Sequence, residues 1–180
     1  VHPFDDLDVA TGQGSIAMEI FDELPDVDYI LAPIGGGGLI TGVSTLTKLL
    51  NPNVKVIGVE PAAAASMTEA LIADGTAVKR VGEKIFPYAE KNIDEVITVA
   101  DDDLIGAFLD VVENHKMIVE NSGLLTVAAL RQLDLKGKKV VSILSGGNMD
   151  VITMSSIVQH GLIQRDRIFS VSVLLPDKPG

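Results

Sequence analysis

The chain alternates two kinds of apolar pattern. Four short runs, "DYILAPI" (28–34), "KVIGVE" (55–60), "EVITVA" (95–100) and "KKVVSILS" (138–145), are bounded by polar residues or glycine. Their β-branched content suits central strands of a parallel sheet, buried on both faces. Between them lie stretches with helical spacing. "SIAMEIFDEL" (15–24) repeats Ile16, Ile20 and Leu24 along one face, with Ser15 as the expected N-cap. "GLITGVSTLTKLL" (38–50), "AAAASMTEALIAD" (62–74, closed by Gly75), "DDDLIGAFLDVVENH" (101–115), "GLLTVAALRQLDL" (123–135) and "MDVITMSSIVQHGL" (149–162) complete the series. This rhythm predicts an α/β fold, a parallel sheet with helices on both faces.

Composition narrows the partners. Hydrophobic residues make up 47% of the 180 positions and aromatics only 4%, as expected of an aliphatic α/β core. A net charge of −11 argues against nucleic acid or an anionic membrane surface. The absence of cysteine excludes disulfides, thiolate metal sites and cysteine nucleophiles. No apolar run reaches the roughly 18 residues of a membrane span. The acidic opening "VHPFDDLDVA" does not read as a signal peptide, so the expected location is cytoplasmic.

Near the C-terminus the pattern changes. After residues 1–160 and a linker at 161–166, "RIFSVSVLLPDKPG" (167–180) alternates like a first strand and then turns at Pro176 and Pro179. With an opening at Val1 that lacks methionine, this reads as part of a longer polypeptide.

The candidate chemistry begins at "LAPIGGGGLITG" (31–42). Ligands of open α/β sheets bind beyond the carboxyl ends of the strands. A glycine-rich turn there lets backbone N–H groups converge on an anion, and the following helix adds its positive end. Gly35, Gly36, Gly37 and Gly38 occupy that position, and their density points to a phosphate. The dinucleotide pattern G-x-G-x-x-G fails, since Gly35 would need a glycine where Ile40 stands and Gly37 one where Leu39 stands. The nucleotide loop fails as well, because Gly37 and Gly42 are followed by Val43 instead of lysine. A single phosphate, without magnesium triphosphate, fits what remains.

A second strand end, "SILSGGNMD" (142–150), adds Ser145, Gly146 and Gly147. Taken with "GGGGL" (35–39), "GVEP" (58–61), "ENSG" (120–123) and the opening "FDD…GQGS", it resembles the fold-type II pyridoxal-phosphate enzymes, above all the threonine/serine dehydratases (threonine ammonia-lyases). The resemblance covers most of residues 1–165. It implies that Gly35, Gly36, Gly37, Gly38 and Leu39 hold the cofactor's phosphate through backbone amides. It also implies that Ser145 hydrogen-bonds the pyridine nitrogen and that Glu120 lines the site. The implied reaction is β-elimination of water from a small amino acid, threonine or serine, followed by deamination to a 2-oxo acid and ammonia. A homo-oligomer is implied for the full-length protein.

In some relatives the acid of the "VEP" segment helps to bind a cation. Glu60 and Ala64 match that pattern, but Ser66 stands where a second acid is expected, a poor cage for a divalent or monovalent cation. The Schiff-base lysine of the family lies in a Ser-x-Lys segment with no counterpart here, so no catalytic residue is assigned and the chain alone is expected to be inactive. Its own lysines, Lys48 among them, read as solvated-face or strand-edge charges. His2, His115 and His160 read as surface or helix-end residues, Asp101–Asp103 as a helix start, and Asp5, Asp6 and Asp8 as a solvated loop. The tail resembles the start of an ACT regulatory domain, with a turn at Asp177, Pro179 and Gly180. Three readings stay open beside the dehydratase: a serine racemase-like enzyme, a cysteine-synthase-like lyase and a non-catalytic module that senses a phosphate ligand or an amino acid.

Overall fold

A computed structural model of the chain describes residues 2–72 and 82–174. Its centre is a four-stranded parallel sheet of order β3-β2-β1-β4, formed by β1 (Tyr29–Pro33), β2 (Lys55–Pro61), β3 (Glu95–Val99) and β4 (Val140–Ser142). Leu31 of β1 lies opposite Ile57 on one side and Ser142 on the other. Each strand falls within or beside one of the four apolar runs of the sequence.

Eight α-helices surround the sheet among the described residues: α1 (Leu7–Gln13), α2 (Ser15–Glu23), α3 (Gly38–Leu50), α4 (Ser66–Ile72), α5 (Phe86–Asn92), α6 (Asp101–His115), α7 (Asn121–Ala129) and α8 (Val151–Gln164). Alternation along the strands divides the core. Leu31, Ile57, Val59 and Val99 pack with Phe108, Leu124 and Leu125 of α6 and α7, and α8 closes over that face. Ile30, Ala32 and Val56 point the other way, toward Ala17, Ile40, Val43, Met67 and Ala89 of α2 to α5. Helices therefore cover both faces, as the period-two burial of a doubly covered sheet requires. No helix is long and apolar enough to cross a membrane among the described residues.

Several local expectations change. Ser15 is the first residue of α2 rather than its cap; Gly14 holds the cap position and makes no side-chain bond. Asp5, Asp6 and Asp8 do not form a solvated loop. Asp6 caps α1 by accepting from Asp8 N–H at 2.9 Å and Val9 N–H at 3.3 Å, which holds its carboxyl below the usual range, and Asp8 lies in the first turn. Asp5 accepts from Lys84 N–H at 2.8 Å. The stretch 62–74 divides into a 3-10 turn, Ala62–Ala64, and α4, while Gly75 lies outside the described residues. The helix expected at 123–135 starts earlier and ends in a 3-10 turn at Leu130–Gln132. Helix α5, in "FPYAEKN", was not expected. The proposed linker is helical as far as Gln164, and Ile168–Leu174 form no strand. The expected turn at Asp177–Gly180 lies outside the described residues.

Lys48 is not a solvated charge. It is 17% exposed, donates to Val54 O at 2.7 Å and pairs with Asp94 at 2.6 Å. Lys55 and Val56 N–H also donate to Asp94, each at 2.8 Å, which ties α3, β2 and the start of β3 together. Burial pushes the Asp94 carboxyl up, but hydrogen bonds from Lys48, Lys55 and Val56 N–H outweigh it and leave it below its ordinary value. Glu60, the residue before the last of β2, is fully buried. Its carboxylate accepts from Met67 N–H at 2.6 Å, Thr68 N–H at 2.9 Å and Thr68 Oγ1 at 2.8 Å, so it caps the start of α4 from a distance in sequence.

Both carboxylates should register in stability measurements. Asp94→Asn should cost about 1–3 kcal/mol at pH 7 in urea unfolding, because it strips partners from a poorly solvated lysine. The folded carboxyl titrates below the unfolded one, so its contribution is present above about pH 3.9 and is lost as pH falls through the lower folded value. The gap between wild type and Asp94→Asn should therefore shrink on acidification below about pH 4. Glu60→Ala should cost roughly 1–3 kcal/mol by leaving two amide donors of α4 without an acceptor, and circular dichroism should show lost helix before global unfolding.

Candidate functional site

Strand β1 ends at Pro33, and the chain enters the glycine run directly. Gly37 takes φ 94°, a left-handed conformation that a side chain would strain, and α3 begins at the next residue. The first intrahelical bond is from Thr41 N–H to Gly37 O at 3.0 Å. The N–H groups of Gly38, Leu39 and Ile40 therefore have no acceptor within the helix. Thr41 Oγ1 also donates to Gly37 O at 2.7 Å, which keeps that carbonyl turned into the helix and away from the loop's open side.

From the far edge of the sheet, β4 leads into Ser145, Gly146 and Gly147. This loop rests on the start of α7. Glu120 N–H donates to Gly146 O at 3.1 Å, and the Glu120 carboxylate lies against Gly146 where a side chain would otherwise stand. Ser122 Oγ donates to that carboxylate at 2.7 Å. Beyond the loop, Asp150 caps α8 by accepting from Thr153 N–H at 2.9 Å.

The two loops meet. Gly35, Gly36, Gly37, Gly38, Leu39 and Ser145 all line one cavity of about 280 Å³, which Phe4, Gln13, Ser122 and Leu125 help to wall. Glu120, expected at the site, stands behind this wall, and Ser122 takes the position facing it. Among the described residues no charged side chain lines the cavity, and the positive potential they offer an anion comes from backbone N–H groups and the N-terminal end of α3. The sequence reading missed Pro3, Phe4, Val9 and Gln13. The signal was available in Asp6 followed by Ala10 and Gln13, an N-cap ahead of a short amphipathic turn that brings this segment over the loop.

The other candidates lie elsewhere. Glu60 spends both carboxylate oxygens on α4, Ala64 ends an exposed 3-10 turn, and no group of three or more His, Cys, Asp or Glu residues suited to a metal exists among the described residues. That donor set does not fit a hard cation. His2, His115 and His160 are exposed, and Asp101–Asp103 form the first turn of α6.

Comparison with known proteins gives a consistent result. The sequence model of the family described as "Pyridoxal-phosphate dependent enzyme" matches residues 1–146. An L-threonine ammonia-lyase of Thermotoga maritima is 41% identical over the whole chain, and one of Geobacter sulfurreducens is 44% identical. The chain spans about half the length of these curated relatives, 48% of each. The processed form of threonine deaminase isoform 2 from Solanum lycopersicum superposes with a TM-score of 0.79 at 38% identity, covering 88% of this chain and 51% of that one. A serine racemase from Dictyostelium discoideum superposes with a TM-score of 0.76 at 38% identity, covering 84% and 53%. A parallel sheet with a glycine loop at its carboxyl edge, matched over most of its length by this family's model, makes the chain a member of the pyridoxal-phosphate-dependent enzymes of fold type II.

Proposed function

We propose that this chain supplies the phosphate- and ring-binding part of a pyridoxal-phosphate-dependent threonine/serine dehydratase, a lyase releasing a 2-oxo acid and ammonia. The observation that carries the reading is the meeting of Gly35–Leu39 and Ser145 on one cavity. The donor set fits the cofactor. Unpaired amides at the start of α3 suit a phosphate, Phe4 and Leu125 suit the faces or edges of a planar ring, and a hydroxyl suits a pyridine nitrogen. Bound there, pyridoxal phosphate supplies an electron sink for the substrate's α-carbon.

The chain's own residues then bind and orient. The amides of Gly35–Leu39 fix the phosphate. Ser145 donates its hydroxyl proton to the ring nitrogen and, being neutral, does not hold that nitrogen protonated as a carboxylate would. This keeps the sink mild, which suits departure of a β-hydroxyl better than a long-lived carbanion. Among the described residues no lysine lines the cavity. On this reading, proton transfer at the α-carbon calls for a lysine from outside the described residues.

The kinship with threonine dehydratases described as biosynthetic, such as that of Pasteurella multocida at 36% identity, supports a role in amino-acid metabolism that includes isoleucine synthesis, and a cytoplasmic location belongs to the same reading. A homo-oligomer is part of the same reading. The exposed apolar side chains Phe169, Val171 and Val173 support the tail as the start of an ACT-like domain, for which isoleucine and valine are the effectors to test. The nearness of the Dictyostelium serine racemase favours one second reading, a racemase. Assay of the whole protein separates the possibilities: 2-oxobutanoate from threonine marks the dehydratase, D-serine from L-serine the racemase, and no turnover a binding module.

Calorimetric titration tests the site itself. Pyridoxal phosphate should bind the chain at least tenfold more tightly than pyridoxal, which lacks the phosphate; equal binding would sink the reading. Ser145→Ala should weaken pyridoxal phosphate about three- to tenfold, the effect of one lost hydrogen bond.

A further inference from the structure

The glycine loop is gripped from two sides. On one side the ring of Phe4 lies against Gly36 so closely that a methyl group on that glycine would fall within the ring. The Phe4 backbone also stands over Gly38, with O and Cα at 3.0 and 3.1 Å from where a Cβ would be. On the other side Ile85 Cδ1 and Met67 Cε back Gly37 at 3.0 and 3.1 Å from the same kind of position. Gly35 has nothing within 4 Å of such a position and is exposed. The loop is thus clamped at three glycines and open at the fourth.

The segment that carries Phe4 is itself fastened. Asp5 N–H donates to His2 Nδ1 at 2.9 Å, and the His2 ring meets the Phe4 ring edge-on at 4.5 Å. Asp5 Oδ1 accepts from Lys84 N–H at 2.8 Å, next to Ile85, the residue that backs Gly37. The contacts close a circle, from Phe4 to Gly36, Gly37, Ile85, Lys84, Asp5 and back to Phe4. Glycine needs such a circle. It loses more backbone freedom on ordering than any other residue, and four in a row would otherwise lose that freedom each time an anion binds.

We propose that Phe4 is a positioning residue whose ring holds Gly36–Gly38 in the anion-binding form before the ligand arrives, with Asp5 fastening it to the start of α5. The proposal rests on the reading of this loop as the phosphate site and adds the residue that preorganises it. It also accounts for three adjacent glycines at 36–38: two make room for Phe4, and the third takes a positive φ.

Amide hydrogen exchange on the ligand-free chain tests the clamp independently of any cofactor. Phe4→Ala should speed exchange at Gly36, Gly37 and Gly38 tenfold or more while Ile30–Ala32 in β1 keep their protection, and Phe4→Leu should fall between. Phe4→Ala should also weaken pyridoxal phosphate at least tenfold, and by a clearly larger factor than it weakens pyridoxal, which shares the ring that Phe4 walls but lacks the phosphate that the loop holds. Gly36→Ala alone should loosen the loop as Phe4→Ala does, and in the Phe4→Ala background it should add little, since the ring it displaces is gone. Unchanged loop exchange in both Phe4 variants overturns the proposal, as does full additivity of the two substitutions. Loss of β1 protection in Phe4→Leu overturns it too, because the ring is then a general folding element. Failure of the wild-type chain to bind pyridoxal phosphate, with the exchange pattern as expected, would remove the cofactor reading and leave the clamp standing.

Discussion

The start of α3 is the constraint around which the molecule is arranged. Three backbone donors at that end have no partner within the helix, and the helix behind them is too deeply buried to turn away. Ile40, Thr41, Gly42, Val43, Ser44 and Thr47 are all buried, on a helix that packs against the sheet, α1, α2 and α5. At Gly42 the Ala10 carbonyl of α1 occupies the space a side chain would need, so α1 can lie directly on α3. The direction of the unpaired amides is set by the core, and an anion placed there meets a field already oriented by folding.

Parallel topology then decides what faces those amides. β1 and β4 are neighbours and run the same way, so both end at the same edge of the sheet. The loop after β4 is supported from below by α7, through Glu120, Ser122 and Gly123, and so Ser145 projects toward the cavity that the glycine loop borders. Neither loop carries a charge. Selectivity in such a cavity comes from donor placement and shape, with Phe4 and Leu125 as apolar walls beside the polar groups.

The acids illustrate how context assigns a role. Glu60, Asp6 and Asp150 each accept amide protons at the start of a helix, but Glu60 does so fully buried from the end of a strand and the other two from the residue just before the helix. A carboxylate with both oxygens committed to amides has little left for a cation, whatever its position in a motif. Asp94 works differently, balancing two lysines from two elements, and the chain uses it to join α3 to the sheet.

What the sequence determined by itself was whatever depends on neighbours along the chain. The four strands, the glycine turn and most helices were legible because burial on two faces demands continuous apolar runs, burial on one face demands a 3.6-residue period, and a left-handed turn demands glycine. The pairing of "GGGGL" with Ser145 was legible through family resemblance, since Ser145 lies 106 positions beyond Leu39 and no local rule links them. Helices α1 and α5 escaped because each has seven residues, too few to establish a period, and is held by contacts from elsewhere. Only tertiary structure decided that Lys48 is an interior ion-pair partner, that Glu60 caps a helix, and that Phe4 lies on Gly36. Each of these depends on which side chain arrives from a distant part of the chain, and that is fixed by strand order and helix packing.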